Sequence, residues 1–278
     1  MIIIHPISPI AIDLFGLPIR WYAIAYILGF VLGFWLLKKM TKWSKKEYDD
    51  LMTAIILGVI LGGRLGYCLI YNFSYYIAHP LEILAIWQGG MSFHGGLIGV
   101  IASVFCFARR SVITQAKAGV HSGFRVALSI LDALAVVAPI GLFFGRVANF
   151  INMEVMGRET SGPLGIVFSG SGQPPRYPSP LFEAATEGLL LFLIMLGLWR
   201  WTKLRERAGA LSGVFAILYA VFRIFCEQFR EPDAQIGFLT NWGLTMGQLL
   251  SGLMLAVGIV IMLFAKCATS PRKSEKIN

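Results

Sequence analysis

The chain has 278 residues, 56% of them hydrophobic and only 14% charged, with a formal net charge of +9 at pH 7. With a mean hydropathy of +0.70, this composition excludes an ordinary soluble globular domain and indicates a polytopic membrane protein. The positive balance first suggests nucleic acid, but most basic residues lie in short loops between apolar runs, so no nucleic-acid partner is expected.

Hydropathy places seven spans at roughly 20–37, 51–71, 92–108, 127–150, 181–199, 210–228 and 244–265. The predicted fold class is therefore an all-α polytopic membrane protein of seven transmembrane helices, read as one integral membrane domain over 1–278. The first long run has neither a basic leader nor a small-residue cleavage site, so no cleavable signal peptide is expected. Lys38, Lys39, Lys42, Lys45 and Lys46 follow the first span. Arg109, Arg110, Lys117 and Arg125 follow the third, and Arg200, Lys203, Arg205 and Arg207 the fifth. Lys266, Arg272, Lys273 and Lys276 follow the seventh. These seventeen of the 24 basic residues share one side, which predicts an external N-terminus and a cytoplasmic C-terminus.

The first span opens with WYAIAY, which sets Tyr22 at interface depth, where an ordinary aromatic-belt residue also fits. The second carries LGGRLGY, with Arg64 between small residues that permit close helix packing. Residues 72–91 form an external loop whose Trp87 suits the headgroup layer. At the mouth of the third span lies GGMSFHGG, residues 89–96. Its glycines let backbone approach a ligand, and the amides around Gly95 and Gly96 could cradle a phosphate. His94 would lie near a helix N-terminus, whose dipole favours the neutral, proton-accepting ring. A hydrogen-bonded structural histidine is the other reading.

The fourth span ends in GRVANFINMEVMGR, residues 145–158. Arg146, Asn149 and Met153 fall on one helical face, and Asn152, Glu154, Gly157 and Arg158 follow at the exit. Such a group is either a capping network or a headgroup site. Residues 151–180, rich in Gly, Pro and Ser, form the longest external loop and a candidate small head. In the sixth span, Tyr219, Arg223, Glu227 and Arg230 make a polar stripe, and Arg223 with Glu227 can pair at i, i+4. Two arginines against one glutamate retain positive charge for a ligand.

The seven basic residues outside the cytoplasmic loops are all arginine, and all ten lysines are in those loops. An arginine near mid-membrane costs about 2.5–3.5 kcal/mol, yet Arg64, Arg146 and Arg223 lie within or beside apolar runs. Arginine cannot lose its charge and grips phosphate through two parallel N–H bonds. An anion at membrane depth, a lipid phosphate first of all, accounts for such a set. Pairing with Glu154, Glu227 or Asp233 for packing alone is the competing account. Cys68, Cys106, Cys226 and Cys267 share no metal-ligand or redox spacing, and neither a metal nor a cofactor is expected.

Taken together, WYAIAY, GGRLGY, WQGGMSFHGGLIGV, GRVANFINMEVMGR and FREPD resemble the bacterial prolipoprotein diacylglyceryl transferase family from end to end. The resemblance implies a seven-span plasma-membrane enzyme with its site toward the outer face. Such an enzyme moves the diacylglyceryl group of phosphatidylglycerol onto the lipobox cysteine thiol of a prolipoprotein signal peptide and releases glycerol 1-phosphate. It implies functional roles for Tyr22, His94, Arg146, Asn149, Glu154, Gly157, Tyr219, Arg223 and Glu227. Met153, where a glycine is common, and Met156, where a large aromatic is usual, depart from the pattern and bear on pocket shape. Arg146 and Arg223 are expected to hold the phosphate and His94 either to accept the thiol proton or to shape the phosphate site, with Arg64, Arg158, Gly95 and Gly96 also near the headgroup.

An anionic-phospholipid transporter or flippase would use the same arginines, but seven dissimilar spans show no internal repeat. A serine protease built on Ser92 and His94 fails because residues two apart on a helix diverge. An acyltransferase lacks its HxxxxD pair.

Overall fold

A computed structural model describes residues 2–4, 7–110, 123–168, 172–232, 237–241 and 243–267. Asp233, Lys117, Arg272, Lys273 and Lys276 lie outside the described residues. All seven apolar runs are helical. The helices are α1 (Trp21–Met40), α2 (Lys45–Gly66), the short α3 (Phe73–Ala78), α4 (Phe93–Arg110) and α5 (Gly123–Ile151). They continue as α6 (Ser179–Glu183), α7 (Leu191–Trp201), α8 (Ala210–Cys226) and α9 (Met246–Cys267). A π-helical turn, Ala184–Leu190, joins α6 to α7 in one continuous rod.

Among the described residues, five helical stretches are long and apolar enough to cross a bilayer: Trp21–Met40, Lys45–Tyr71, Gly123–Ile151, Ser179–Trp201 and Met246–Ala265. Two more, His94–Arg109 and Ala210–Cys226, are apolar but shorter. Only 17% of the Met246–Ala265 window and 22% of the Trp21–Met40 window is buried inside the protein. Water would not tolerate so much outward-facing leucine, valine and phenylalanine, so these faces require lipid.

No strands are expected from the sequence, and among the described residues there are four short ones. β1 (Ile2–Ile4) pairs in parallel with β4 (Ile166–Phe168), and β2 (Ile10–Leu14) forms an antiparallel hairpin with β3 (Leu17–Arg20). Runs of three to five residues are too brief to show a period of two. The hairpin turns through Phe15 and Gly16, both at positive φ (54° and 84°), and the amide of Gly16 donates to Asp13 Oδ1 at 2.8 Å. Residues 151–180, expected as a loop, carry β4 and isolated bridges that include Gly157–Arg230 and Glu159–Arg176.

The chain forms two compact units: Met1–Met40 with Asp132–Asn278, and Thr41–Leu131. In the first, Ala135, Val136, Leu191, Met195 and Leu211 form a buried core. Backbones close to contact where glycines meet: a Cβ on Gly29 would lie 3.0 Å from Gly141, and one on Gly258 2.9 Å from the carbonyl oxygen of Gly213. The start of α8 is capped from another helix. Asp132 Oδ2 accepts from Gly209 N, and Oδ1 accepts from both the amide and the hydroxyl of Ser212, each at 2.7 Å.

In the second unit α2 and α4 cross through Gly58, Gly62 and Gly66 against Gly95 and Gly99, with no room at the crossing for any Cβ. Ser44 starts α2 with a capping box: its Oγ accepts from Glu47 N at 3.3 Å, and the Glu47 carboxylate accepts from Ser44 N at 2.6 Å.

Candidate active site

Three arginines and three glutamates meet in the interior of the first unit. Arg146 comes from α5, Arg223 from α8, and Arg230 from the segment just beyond α8. Glu183 ends α6, Glu187 lies one turn further in the π-helical stretch, and Glu227 caps α8. Glu183 and Glu187 are fully buried. The Oε2 atom of Glu183 sits 2.9 Å from Arg146 Nε and 3.1 Å from Arg223 Nη1, and its Oε1 lies 3.4 Å from Arg230 Nη1. Glu187 reaches Arg146 Nη2 at 3.3 Å and Arg223 Nη1 at 3.5 Å. Glu227 takes Arg223 Nη2 at 2.6 Å, and its other oxygen accepts from the Thr245 hydroxyl at 2.8 Å. At low dielectric, charges this close must be matched, and among the described residues three guanidiniums face three carboxylates.

One turn beyond Arg146, Asn149 begins a second network. Its amide donates to the Tyr22 hydroxyl, which donates to Glu154 Oε2 at 2.9 Å. The Asn149 amide also lies 3.4 Å from that oxygen, and the Asn152 amide 3.5 Å from the other. Glu154 is exposed while Asn149 is buried. The chain leaves α5 after Ile151 and turns sharply, with Met153 and Val155 in the left-handed region at φ 56° and 57°. Met153 therefore does not continue the helical face of Arg146 and Asn149. A left-handed residue there is a physical reason for glycine to be favoured. Tyr219 lies one turn before Arg223 and stacks on Phe215 with ring centroids 6.0 Å apart.

The second unit holds Arg64, His94, Gly95 and Gly96. Arg64 is buried at 3% exposure. Its Nε donates to the carbonyl of Ile83 at 2.9 Å. Its Nη1 donates to those of Gly89 (2.5 Å) and Gly90 (3.2 Å), and its Nη2 to those of Glu82 (2.7 Å) and Ala85 (3.2 Å). Gly89 and Gly90 adopt φ of 85° and 82°, and a Cβ on Gly90 would strike the Tyr67 ring. His94 is exposed in the first turn of α4.

A family model described as prolipoprotein diacylglyceryl transferase matches residues 9–264. The chain belongs to that family. It is 46% identical over 269 residues to the phosphatidylglycerol–prolipoprotein diacylglyceryl transferase of Rhodospirillum rubrum, covering 94% of this chain and 93% of that one. The enzyme of the same name from Methylocella silvestris is 46% identical over 276 residues, covering 95% and 96%. That from Nitratidesulfovibrio vulgaris strain DP4 is 43% identical over 261 residues, covering 92% and 94%. The outward apolar helices and this family together make the chain a multi-pass membrane protein.

Within this transferase-family chain, the structure gathers Tyr22, Arg146, Asn149, Glu154, Tyr219, Arg223 and Glu227 in the first unit, where the sequence nominates them. Five nominated residues make structural contacts. Arg64 directs all five N–H bonds to backbone carbonyls and so ties down loop 82–90; a phosphate would have to displace that loop. Arg158 donates from Nε to the carbonyl of Arg230 at 2.9 Å and from Nη2 to that of Glu227 at 3.3 Å, pinning the exit of α8. Gly157 is buried where a Cβ would overlap the carbonyls of Phe229 and Tyr177; its lack of a side chain serves chain crossing. Gly95 likewise faces Gly62 and Gly66, and Gly96 is buried with α2 beside it, so both serve helix packing.

Glu183 and Glu187 are absent from the reading of the sequence, as is their cancellation of the stripe's positive charge. The signal was present, since two acids four residues apart inside an apolar run are as costly as the arginines.

Proposed function

We propose that this chain transfers the diacylglyceryl group of phosphatidylglycerol to the lipobox cysteine thiol of prolipoproteins, forming a thioether. One observation of the structure carries the reading for a chain of this family: Arg146 and Arg223, from two apolar helices, converge on one buried point. The thiolate sulfur attacks the glyceryl carbon, the bond from that carbon to the phosphate oxygen breaks, and glycerol 1-phosphate departs with the electron pair on that oxygen. The leaving oxygen gains negative charge as it goes, so guanidiniums aimed at it favour the transition state over the bound lipid.

Arg146 and Arg223 take the phosphate. The Asn149–Tyr22–Glu154 chain offers acceptors and a donor to the glycerol hydroxyls of the headgroup, and Tyr219 walls the site beside Arg223. Glu227 holds Arg223 in place. A free thiol near pKa 8.5 is only a few per cent ionised at pH 7; His94 accepts its proton, worth roughly 10²–10⁴-fold in rate. All seven apolar runs cross the bilayer, with the N-terminus outside, the C-terminus in the cytoplasm, residues 151–180 as the external head, and the site toward the outer face. The membrane is then the bacterial plasma membrane. Charge bias and the depth of the arginines support this orientation.

The test is a purified-protein assay with phosphatidylglycerol and a lipobox peptide, reading glycerol phosphate release and a diacylglyceryl mass shift on the thiol. Both products from wild type, lost with Arg146→Ala and with a Cys→Ser peptide, support the transferase. Lipid binding without either product would instead favour a phospholipid transporter.

A further inference from the structure

Both guanidiniums that the transferase reading assigns to the phosphate are already held by carboxylates. The Glu183 Oε2 atom lies between Arg146 Nε (2.9 Å) and Arg223 Nη1 (3.1 Å), the position a phosphate oxygen would take. Glu187 touches the same two arginines at the longer distances of 3.3 and 3.5 Å. Among the described residues, Nη1 of Arg146 and Nε of Arg223 make no hydrogen bond or ion pair. Arg146 is also the most open of the three arginines, its side chain 20% exposed against 12% for Arg223 and Arg230. An incoming anion has a foothold at the edge of the cluster before it disturbs the centre.

The backbone beneath the acids is unusual. Glu183 is the last residue of α6, and Glu187 lies within the π-helical turn Ala184–Leu190. Wider i→i+5 turns are rare and recur at functional sites. Here the turn interrupts a rod that is otherwise α-helical and brings two acids onto one pair of guanidiniums. Packing alone would be served as well by apolar side chains, because replacing a buried ion network with hydrophobes is often neutral or stabilising.

We infer that Glu183, seconded by Glu187, is the resident counter-ion of the phosphate site, displaced by the lipid phosphate and returning to expel glycerol phosphate. The inference rests on the transferase reading. Its physical basis is the charge of what is bound. The lipid phosphodiester carries one negative charge, and the phosphate monoester that leaves carries up to two. Three uncompensated buried arginines would hold the product more tightly than the substrate, and release would limit turnover. Carboxylates competing for the same guanidinium charge weaken both complexes and drive the product off. Glu183 and Glu187 are thus positioning and release residues rather than groups that touch reacting atoms.

The experiment uses the purified full chain in phosphatidylglycerol-containing nanodiscs, with lipobox peptide as acceptor and glycerol 1-phosphate added as product inhibitor. Glu183→Gln keeps the side-chain volume but removes the charge. The expected result is an inhibition constant for glycerol 1-phosphate lower by roughly tenfold, equivalent to about one strengthened charge-assisted contact. The kcat and the KM for phosphatidylglycerol should fall together. A merely structural role would lower the folded fraction or kcat without tightening product binding. If Glu183→Gln does not fold, Glu187→Gln should show the same signature at smaller amplitude. An unchanged or raised inhibition constant in the variant that folds overturns the inference while leaving the transferase reading intact. A wild-type protein that makes no thioether removes the transferase reading, and this inference with it.

Discussion

Replacing Arg64 by lysine isolates what five forked donors do that a point charge cannot. The guanidinium lies 5.1 Å from the Tyr76 ring and fastens Glu82, Ile83, Ala85, Gly89 and Gly90 through their carbonyls. An ammonium group has three donors on one nitrogen, so at least two of these five bonds are lost. A hydrogen bond to a charged group contributes about 1.5–3 kcal/mol. Because parts of the loop reach solvent and water replaces some partners, the net loss is about 2–4 kcal/mol, concentrated in the loop. That corresponds to roughly 30- to 1000-fold more frequent local opening. Hydrogen exchange of peptides covering 80–92, in nanodiscs, reads this directly, with peptides from α8 as internal controls. The same variant should leave the KM for phosphatidylglycerol within about twofold, because Arg64 spends its donors on the backbone. Unchanged exchange at 80–92 combined with a large rise in KM would refute the reasoning and return Arg64 to the phosphate site.

Removing the borrowed cap of α8 with Asp132→Ala strands the amides of Gly209 and Ser212, and should lower stability by about 2–3 kcal/mol; thermal unfolding in nanodiscs checks this. Gly62→Leu forces a side chain into the backbone of α4 at Gly95 and Gly99. Overpacking of about 1–3 kcal/mol or more should reduce the yield of folded protein, whereas the same change at Gly252, where a Cβ meets nothing within 4 Å, should be tolerated. Arg223→Lys keeps the charge but cannot reach Glu183, Glu187 and Glu227 together, so transferase kcat/KM should drop at least about 100-fold, as for a lost oxyanion-type donor. Tyr22→Phe breaks the Asn149–Tyr22–Glu154 chain and should cost about tenfold in kcat/KM, the scale of one hydrogen bond. Activity equal to wild type would remove Tyr22 from the site.

What was legible in the sequence is what one-dimensional patterns determine. The apolar runs were readable as helices, because a backbone in lipid must satisfy its own hydrogen bonds; each run is helical in the structure, and among the described residues five helical stretches are long and apolar enough to cross a bilayer. Arginines inside such runs demanded partners, and Arg223–Glu227 at i, i+4 was readable from spacing alone. The strands β1 and β4 were not, since their pairing joins residues more than 160 positions apart and neither run is long enough to reveal a period.

Only the tertiary structure decided what each arginine does. On the sequence Arg64, Arg146, Arg158 and Arg223 are equivalent charges near the membrane. In space Arg64 and Arg158 bind backbone carbonyls, whereas Arg146 and Arg223 meet carboxylates carried by another helix. The glycines divide the same way: Gly89 and Gly90 turn the chain, and Gly95, Gly96 and Gly157 make room for a neighbouring backbone. The physical reason is common to all of them. Hydropathy and helical period are local properties, but the partner of a buried charge is chosen by which elements pack together. Glu183 and Glu187 become the centre of the arginine cluster only because α5, α8 and the π-helical turn pack onto one another.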